Sequence, residues 1–457
     1  MSAVVDRATA ALPLLNHAHA GRVFAWRDGA PVTVAKFLAD VHAVAATLPS
    51  ARHAVNLCED RYAFLVAFCA VAVRGQTNLL PPSRAPLAVA EALASHSGSY
   101  TLGETALGET ARTALSSQHV AMRIDADIAI GETVLPAIDG EATVAIGFTS
   151  GSTGQPKANP KTWASVFAST AQNARTLAGL LGLAPDALAH VVATVPPQHM
   201  YGLELSVLLP LLGPFAVHGG KPFFPADVAA ALADVPAPRL LVTTPIHLQA
   251  LVRDPVELPP LAGITSATAP LSCELAAEAE ARYGAPVLEL FGSTETCVIA
   301  HRRAACESAW QLYPDIALKP QPDGTLVDAP YFAQPVVLQD IVELLPDHAF
   351  HLRGRNADLV EIAGKRASLA DLTRRLLALT GVTDAIAVQL DDEDGSGVRR
   401  IAALVVAPSR GEAALLEELR LAIDPVFLPR PFRRVTALPR NETGKLVRAA
   451  VLEALKV

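Results

Sequence analysis

The 457-residue chain lacks a basic excess: 37 Lys and Arg stand against 45 Asp and Glu, a formal net charge of −8. Such a balance gives no cationic footprint for nucleic acid or an anionic membrane. The local basic group Arg430, Arg433 and Arg434 is short. Cysteine is scarce too. Cys58, Cys69, Cys273, Cys297 and Cys306 are odd in number and form no CxxC pair, which argues against a disulfide framework or a four-cysteine zinc site and favours a reducing, cytoplasmic setting. Long hydrophobic runs are missing. FLVAFCAVAV (Phe64 to Val73) lies between Arg61 and Arg74, and LSVLLPLLGPFAV is broken by Pro210, Gly213 and Pro214. Neither reaches the roughly 20 apolar residues that span a bilayer, so both are expected as buried helix or strand. The N-terminus has no basic start followed by an apolar block and does not read as a signal peptide. Aromatics make up only 5%.

What is present is a soluble, apolar-rich composition long enough for two or more domains. Short apolar runs alternate with helical spacing. Val32 to Leu48 reads as a helix, HAVNLCED as a strand entering a loop, and RYAFLVAFCAVAVRG as a buried helix ending at Gly75. TNLLPP reads as a strand, and the helix after it has Ser83 as its expected cap. Downstream, ATVAIGFTS, HVVATVP, PRLLVTTP and APVLELFG are strand-like, and WASVFASTAQNARTLAGLL is helical. This alternation predicts α/β layers, with ligands at the carboxyl ends of strands. The last hundred residues have helices and strands of their own: ASLADLTRRLLALT, DAIAVQL, RIAALVVAP and AALLEELRLAI. The expected organisation is therefore a large multi-sheet α/β domain over residues 1–355 and a small α+β domain over 356–457.

One loop stands out. TSGSTGQPK, Thr149 to Lys157, follows an apolar strand. Gly151 and Gly154 allow a tight turn that points backbone N–H groups inward. Thr149, Ser150, Ser152 and Thr153 offer hydroxyls, and Lys157 a mobile cation, for phosphate oxygens. The spacing is not that of a Walker A loop, so kinase or P-loop NTPase chemistry has no support here. By composition alone, an ordinary surface loop is the favoured reading.

Three further segments accompany it in order: FGSTE (Phe291 to Glu295), GRNAD (Gly354 to Asp358) and PRNETGK (Pro439 to Lys445). With these four motifs the chain resembles, over nearly its whole length, the adenylate-forming superfamily of acyl- and aryl-CoA synthetases, nonribosomal peptide adenylation domains and luciferases. The resemblance implies a large domain that binds ATP and a carboxylic acid, and a small mobile domain that brings in a catalytic lysine. It implies ATP, Mg2+ and a thiol, either CoA or phosphopantetheine.

The resemblance also implies roles. Lys445 would reach the carboxylate and the α-phosphate; otherwise it is a solvated surface lysine. Thr294 would contact the α-phosphate, and Glu295 would be the magnesium-associated carboxylate; the alternative is a helix cap with a first-turn acid. Phe291 takes the place of the aromatic that stacks on adenine, usually Tyr. Glu289 would lie near the base or acyl pocket. Asp340 and Arg355 would hold the ribose or phosphates, although the usual Thr-Gly-Asp is Leu-Gln-Asp here. His199, in PPQHMYGLE, would sit by the acid, beside a segment in which Ala267 and Ala269 leave room. At the hinge, Ala357 and then Asp358 follow where the family commonly has Asp or Lys. Gly364 resembles the glycine of the loop that nears the thiol channel; Glu361 replaces its usual lysine, and Lys365 and Arg366 could meet CoA phosphates or an acidic carrier.

Only LVRAAVLEALKV follows Lys445, so a stand-alone ligase is expected, with CoA or a separate acyl carrier protein as acceptor. The acid expected is an aryl or a short to medium apolar one, since no Asp for an amino-acid ammonium occurs in PQHMY. Two alternatives stay open: an acyl-AMP-forming enzyme with a non-thiol acceptor, and an inactive binding protein of the same fold.

Overall fold

The computed structural model describes residues 11–81, 84–105, 118–124, 134–150, 156–184, 187–321, 324–355, 359–362, 365–393, 399–423, 425–441 and 444–456. Internal contacts divide the chain into two compact units, residues 1–308 with 330–333, and residues 309–329 with 334–457. The first is a large mixed α/β body with several sheets, and the second is a smaller α+β region.

In the first unit, local sequence chemistry sets the helix starts. Thr33 accepts a hydrogen bond from the Lys36 N–H at 3.3 Å, so the helix expected from Val32 begins at Val34. Residues Ala30–Thr33 form a strand instead. Asp60 caps helix Arg61–Val73 by accepting from the Ala63 N–H at 2.8 Å. That helix is apolar all round and buried all round, as its composition requires. The next helix, Pro86–Ala94, has Ala85 at its N-cap position; Ser83 lies outside the described residues.

Two sheets carry this unit. One runs in the order Pro156–Thr162, Thr143–Ser150, Thr77–Leu80, His53–Asn56, Tyr100–Gly103, His119–Ala121. The other has a parallel centre, with Val287–Ser293, Gly263–Ser266, Arg239–Thr243, Ala189–Ala193 and Phe215–His218 adjacent in that order. These strands are short and almost wholly buried, as helix-covered parallel strands are. Their carboxyl ends lead into the polar segments that hold His199, Thr244, Ala267 and Thr294. The broken apolar run 205–217 is helical to Leu212 and resumes as strand Phe215–His218. Among the described residues no helix is long and apolar enough to cross a membrane.

The second unit shows period-two burial clearly. Strands Asp384–Glu393 and Arg399–Val406 pair antiparallel, and Phe432–Arg434 adds in parallel. Odd-numbered Ala385, Ala387, Ile401, Ala403 and Val405 pack with Leu369, Leu372, Leu376, Leu415 and Leu419 of two helices. Even-numbered Val388, Ala402 and Leu404 pack with Val451 and Leu455 of the terminal helix Arg448–Lys456. One sheet thus separates two cores because strand side chains alternate.

Candidate active site

The phosphate-loop motif begins and ends on two paired strands. Strand Thr143–Ser150 pairs antiparallel with Pro156–Thr162, so Thr149 faces Lys157 and Ser150 faces Pro156. Gly151, Ser152, Thr153 and Gly154 lie outside the described residues, and Ser150 is described in its backbone alone. Lys157 is exposed. Strand alternation places Lys157, Asn159 and Lys161 on one face. Asn159 is buried, and its amide donates to the Lys157 carbonyl at 3.0 Å, the Thr149 hydroxyl at 3.2 Å and the Gly147 carbonyl at 3.3 Å. This fixes the side-chain oxygen of Thr149 at the strand's end.

FGSTE closes strand Val287–Ser293 and enters a tight turn, residues 294–296, that leads into strand Cys297–Arg302. It is not a helix N-terminus, so the alternative of a helix cap does not apply to Thr294 and Glu295. Ser293 Oγ accepts from the Glu295 and Thr296 N–H groups, both at 3.2 Å. Thr296 Oγ1 in turn accepts from the Ser293 N–H at 3.2 Å. Cys297 takes a left-handed φ of 62°. A Cβ on Gly292 would stand 2.2 Å from the Cys297 carbonyl oxygen, so only glycine permits this closure.

The hairpin and the turn meet. The Thr149 hydroxyl donates to Glu295 Oε1 at 3.3 Å. Lys161 Nζ donates to the Glu295 carbonyl at 2.5 Å. A Cβ on Gly147 would lie 2.8 Å from Thr294 Cγ2, so that glycine lets the two segments approach. Thr149, Thr294 and Glu295 are therefore one cluster, and Phe291 lies half-exposed at the end of the strand leading into it.

The rest of the first unit's candidates surround this cluster in sequence. His199 is half-buried and occupies the N-cap position of helix Met200–Leu203, its N–H donating to the Pro196 carbonyl at 3.3 Å. Glu289 is buried; it accepts from the Leu271 N–H at 2.9 Å and from Arg302 Nε at 2.7 Å. Burial raises its carboxyl above the usual range, while Arg302 and the Leu271 N–H oppose the shift. Those bonds give Glu289 a structural anchor role across the strand ends.

In the second unit, Asp340 and Arg355 are cross-strand partners at the two ends of an antiparallel pair, Asp340–Leu345 with Ala349–Arg355. Asp340 is buried, and its carbonyl accepts from Thr325 Oγ1 at 2.6 Å. Ala357, Asp358 and Gly364 lie outside the described residues. Lys445 is exposed on a small loop closed by Asn441, whose side chain accepts the Lys445 N–H at 2.9 Å. Arg440 supports that loop. It donates to the Gly444 carbonyl at 3.0 Å and makes a bidentate pair with Asp384 at 2.9 Å. Gly444 has a φ of 77° and so occupies a position that favours glycine.

Sequence reasoning missed Asn159 and Lys161, which belong to no motif, and Glu204, the last residue of the PPQHMYGLE segment read only for His199. For Asn159 and Lys161 the signal is polar residues alternating on one strand, and it needs the hairpin register to be read; Glu204 stands on a π-helical turn, where no such alternation exists.

The first unit's cluster suits a magnesium-bound nucleotide. Glu295 is a half-exposed carboxylate beside a hydroxyl, and hard cations prefer such oxygens. Among the described residues no group of three or more His, Cys, Asp or Glu could hold a metal alone.

Residues 18–328 match the family of AMP-binding enzymes. A 4-coumarate–CoA ligase of Rhodobacter capsulatus is 31% identical over 316 residues, 68% of this chain and 77% of that protein. A sulfoacetate–CoA ligase of Cupriavidus necator is 28% identical over 362 residues, 70% of this chain and 68% of that one. Among solved structures, the amide bond synthetase McbA of Marinactinospora thermotolerans has a TM-score of 0.78 at 19% identity, covering 95% of this chain and 97% of that one. The o-succinylbenzoate CoA synthetase of Bacillus subtilis, in complex with its acyl-adenylate, has a TM-score of 0.76 at 20% identity, covering 94% of each.

Proposed function

This chain belongs to the family of AMP-binding enzymes, and from that premise we propose that it activates a carboxylic acid as acyl-AMP and passes the acyl group to a thiol. The chain is an ATP-dependent, AMP-forming adenylating enzyme. The observation that carries the reading is the Thr149–Glu295 contact, which sets the phosphate-loop strand against the acidic turn. The acid we favour is an aryl or a short to medium acyl one. The CoA ligases among its relatives support a thiol acceptor, either CoA or a separate acyl carrier protein.

In the proposed mechanism, a carboxylate oxygen attacks the α-phosphorus of ATP. The bond from that phosphorus to the bridging oxygen breaks and pyrophosphate leaves. The thiolate then attacks the acyl carbon, the carbon–oxygen bond to AMP breaks, and AMP leaves. Two anions must first be held together, which requires placed donors and cations. Thr149, Ser150, Ser152, Thr153 and the backbone at Gly151 and Gly154 hold the phosphates, with Lys157 as a mobile cation. Thr294 contacts the α-phosphate, and Glu295 would hold the magnesium. The ion, when bound, offsets phosphate charge. Phe291 stacks on adenine, Asp340 and Arg355 take the ribose, and His199 borders the acid. Lys445 neutralises the carboxylate and the α-phosphate as they meet. The small domain, hinged at 355/356, delivers it. A cytoplasmic location fits the exposed Cys273 and Cys306.

The test is acid-dependent exchange of labelled pyrophosphate into ATP across aryl, fatty and amino acids, followed by AMP release with CoA, a pantetheinylated carrier protein, or an amine. Exchange with one acid class and thiol-dependent AMP release is the expected result. Exchange with amine-dependent release would replace the thiol acceptor. No exchange from folded protein that binds ATP would overturn the reading.

A further inference from the structure

Two buried ionisable side chains have no part in the chemistry just described. Lys161 is 6% exposed and Glu204 2% exposed. Burial of either type is costly unless its polar atoms are well partnered, so what they hold is informative. Lys161 directs its ammonium to the Glu295 carbonyl at 2.5 Å. Glu204 lies on a π-helical turn, Glu204–Leu208, immediately after helix Met200–Leu203. Its carboxyl accepts from the Val298 N–H at 3.0 and 3.2 Å. It also accepts from Ser169 Oγ and Asn173 Nδ2 of helix Trp163–Leu180, each at 3.1 Å.

The two therefore grip one short stretch of backbone at both ends, residue 295 and residue 298. Between them Cys297 sits at φ 62°, a left-handed conformation that a non-glycine residue keeps only when neighbours enforce it. Ser293 and Thr296 brace the turn from within, but their bonds stop at Cys297. Lys161 and Glu204 brace it from the hairpin strand and the helix on either side.

We propose that Lys161 and Glu204 are positioning residues for Glu295, holding the backbone from 295 to 298 so that its carboxylate stays against Thr149 and meets the metal–nucleotide. This rests on the reading of Glu295 as the metal-associated carboxylate.

The test uses the full chain with Lys161→Met, Glu204→Met, Glu204→Gln, Glu295→Gln and the double variant Lys161→Met/Glu295→Gln. Binding of Mn2+ with ATP is measured by calorimetry, alongside thermal unfolding and pyrophosphate exchange. Lys161→Met is expected to weaken Mn2+–ATP binding about tenfold, as Glu295→Gln does, and the double variant to bind no more weakly than the weaker single one. Glu204→Gln keeps an acceptor for Val298 and is expected to retain binding that Glu204→Met loses. If Glu204→Met does not fold, the Lys161 cycle still decides. Unchanged Mn2+–ATP affinity in folded Lys161→Met, or fully additive losses in the double variant, would overturn the proposal. If Lys161→Met weakens binding while Glu295→Gln does not, the reading of Glu295 fails instead.

Discussion

Thr149 and Glu295 stand 146 residues apart in sequence, yet the hydroxyl of one donates to the carboxylate of the other at 3.3 Å. The contact exists because Asn159 orients Thr149 from across a hairpin and because Gly147 leaves room for Thr294.

Lys445→Ala should abolish acid-dependent pyrophosphate exchange by about 100-fold or more, the scale expected when a charge-stabilising donor is lost. The side chain is exposed, so thermal stability should stay level. Exchange rates and a melting curve on the same preparation check both halves. Exchange at the wild-type rate would remove Lys445 from the mechanism.

Gly147→Ala should disturb the meeting of hairpin and turn. The new methyl would lie 2.8 Å from Thr294 Cγ2 and 3.4 Å from Met200 Cε. Overpacking of this kind costs about 1–3 kcal/mol, and a misplacement near 1 Å can cost on the order of 100-fold in rate. Urea unfolding and steady-state exchange should show a modest stability loss with a larger loss of activity.

Glu204 makes stability depend on pH. Burial raises its carboxyl to about 7; the Val298 N–H, Ser169, the Lys161 charge and Asn173 pull the other way without cancelling burial. Because the folded value lies above the unfolded value of 4.5, the native state binds the extra proton between those limits. The stabilising contribution is full below about pH 4.5 and is lost as pH rises through about 7. Its size is on the order of 3 kcal/mol. Unfolding free energies measured from pH 4.5 to 8 should show wild type losing stability relative to Glu204→Gln. A constant difference would contradict the raised value.

Arg61→Met should destabilise the first unit by about 3 kcal/mol, the cost of stranding buried acceptors. Arg61 is fully buried and donates to the Ala193 and Val195 carbonyls at 2.8 Å and to Ser206 Oγ. Burial pushes its guanidinium down to about 10, so it remains charged at neutral pH. Arg61→Lys should recover only part of the loss, because an ammonium lacks the planar fork that serves three acceptors. Denaturant midpoints of the three proteins decide it.

Much of the fold was legible because its signals are local. The apolar stretch Phe64 to Val73 had to be buried, and it forms the buried helix Arg61–Val73. The α/β rhythm and the resemblance of four motifs pointed to the family without any coordinates. Strand Pro156–Thr162 was not read, because PKANPKT lacks the apolar alternation by which a strand is recognised. It becomes a strand by pairing with Thr143–Ser150, a tertiary decision.

By itself, the sequence determined which segments must be buried and which residue types were available to meet phosphate and metal. Only the tertiary structure decided which of them meet. It set Asp340 opposite Arg355 through strand register, and it turned Lys161 and Glu204 inward onto one strained turn. Local propensity and hydrophobic period act over a few residues. Register and the partnering of buried polar groups arise only when distant segments close on one another, because it is there that a lysine or glutamate deprived of water must find its hydrogen bonds.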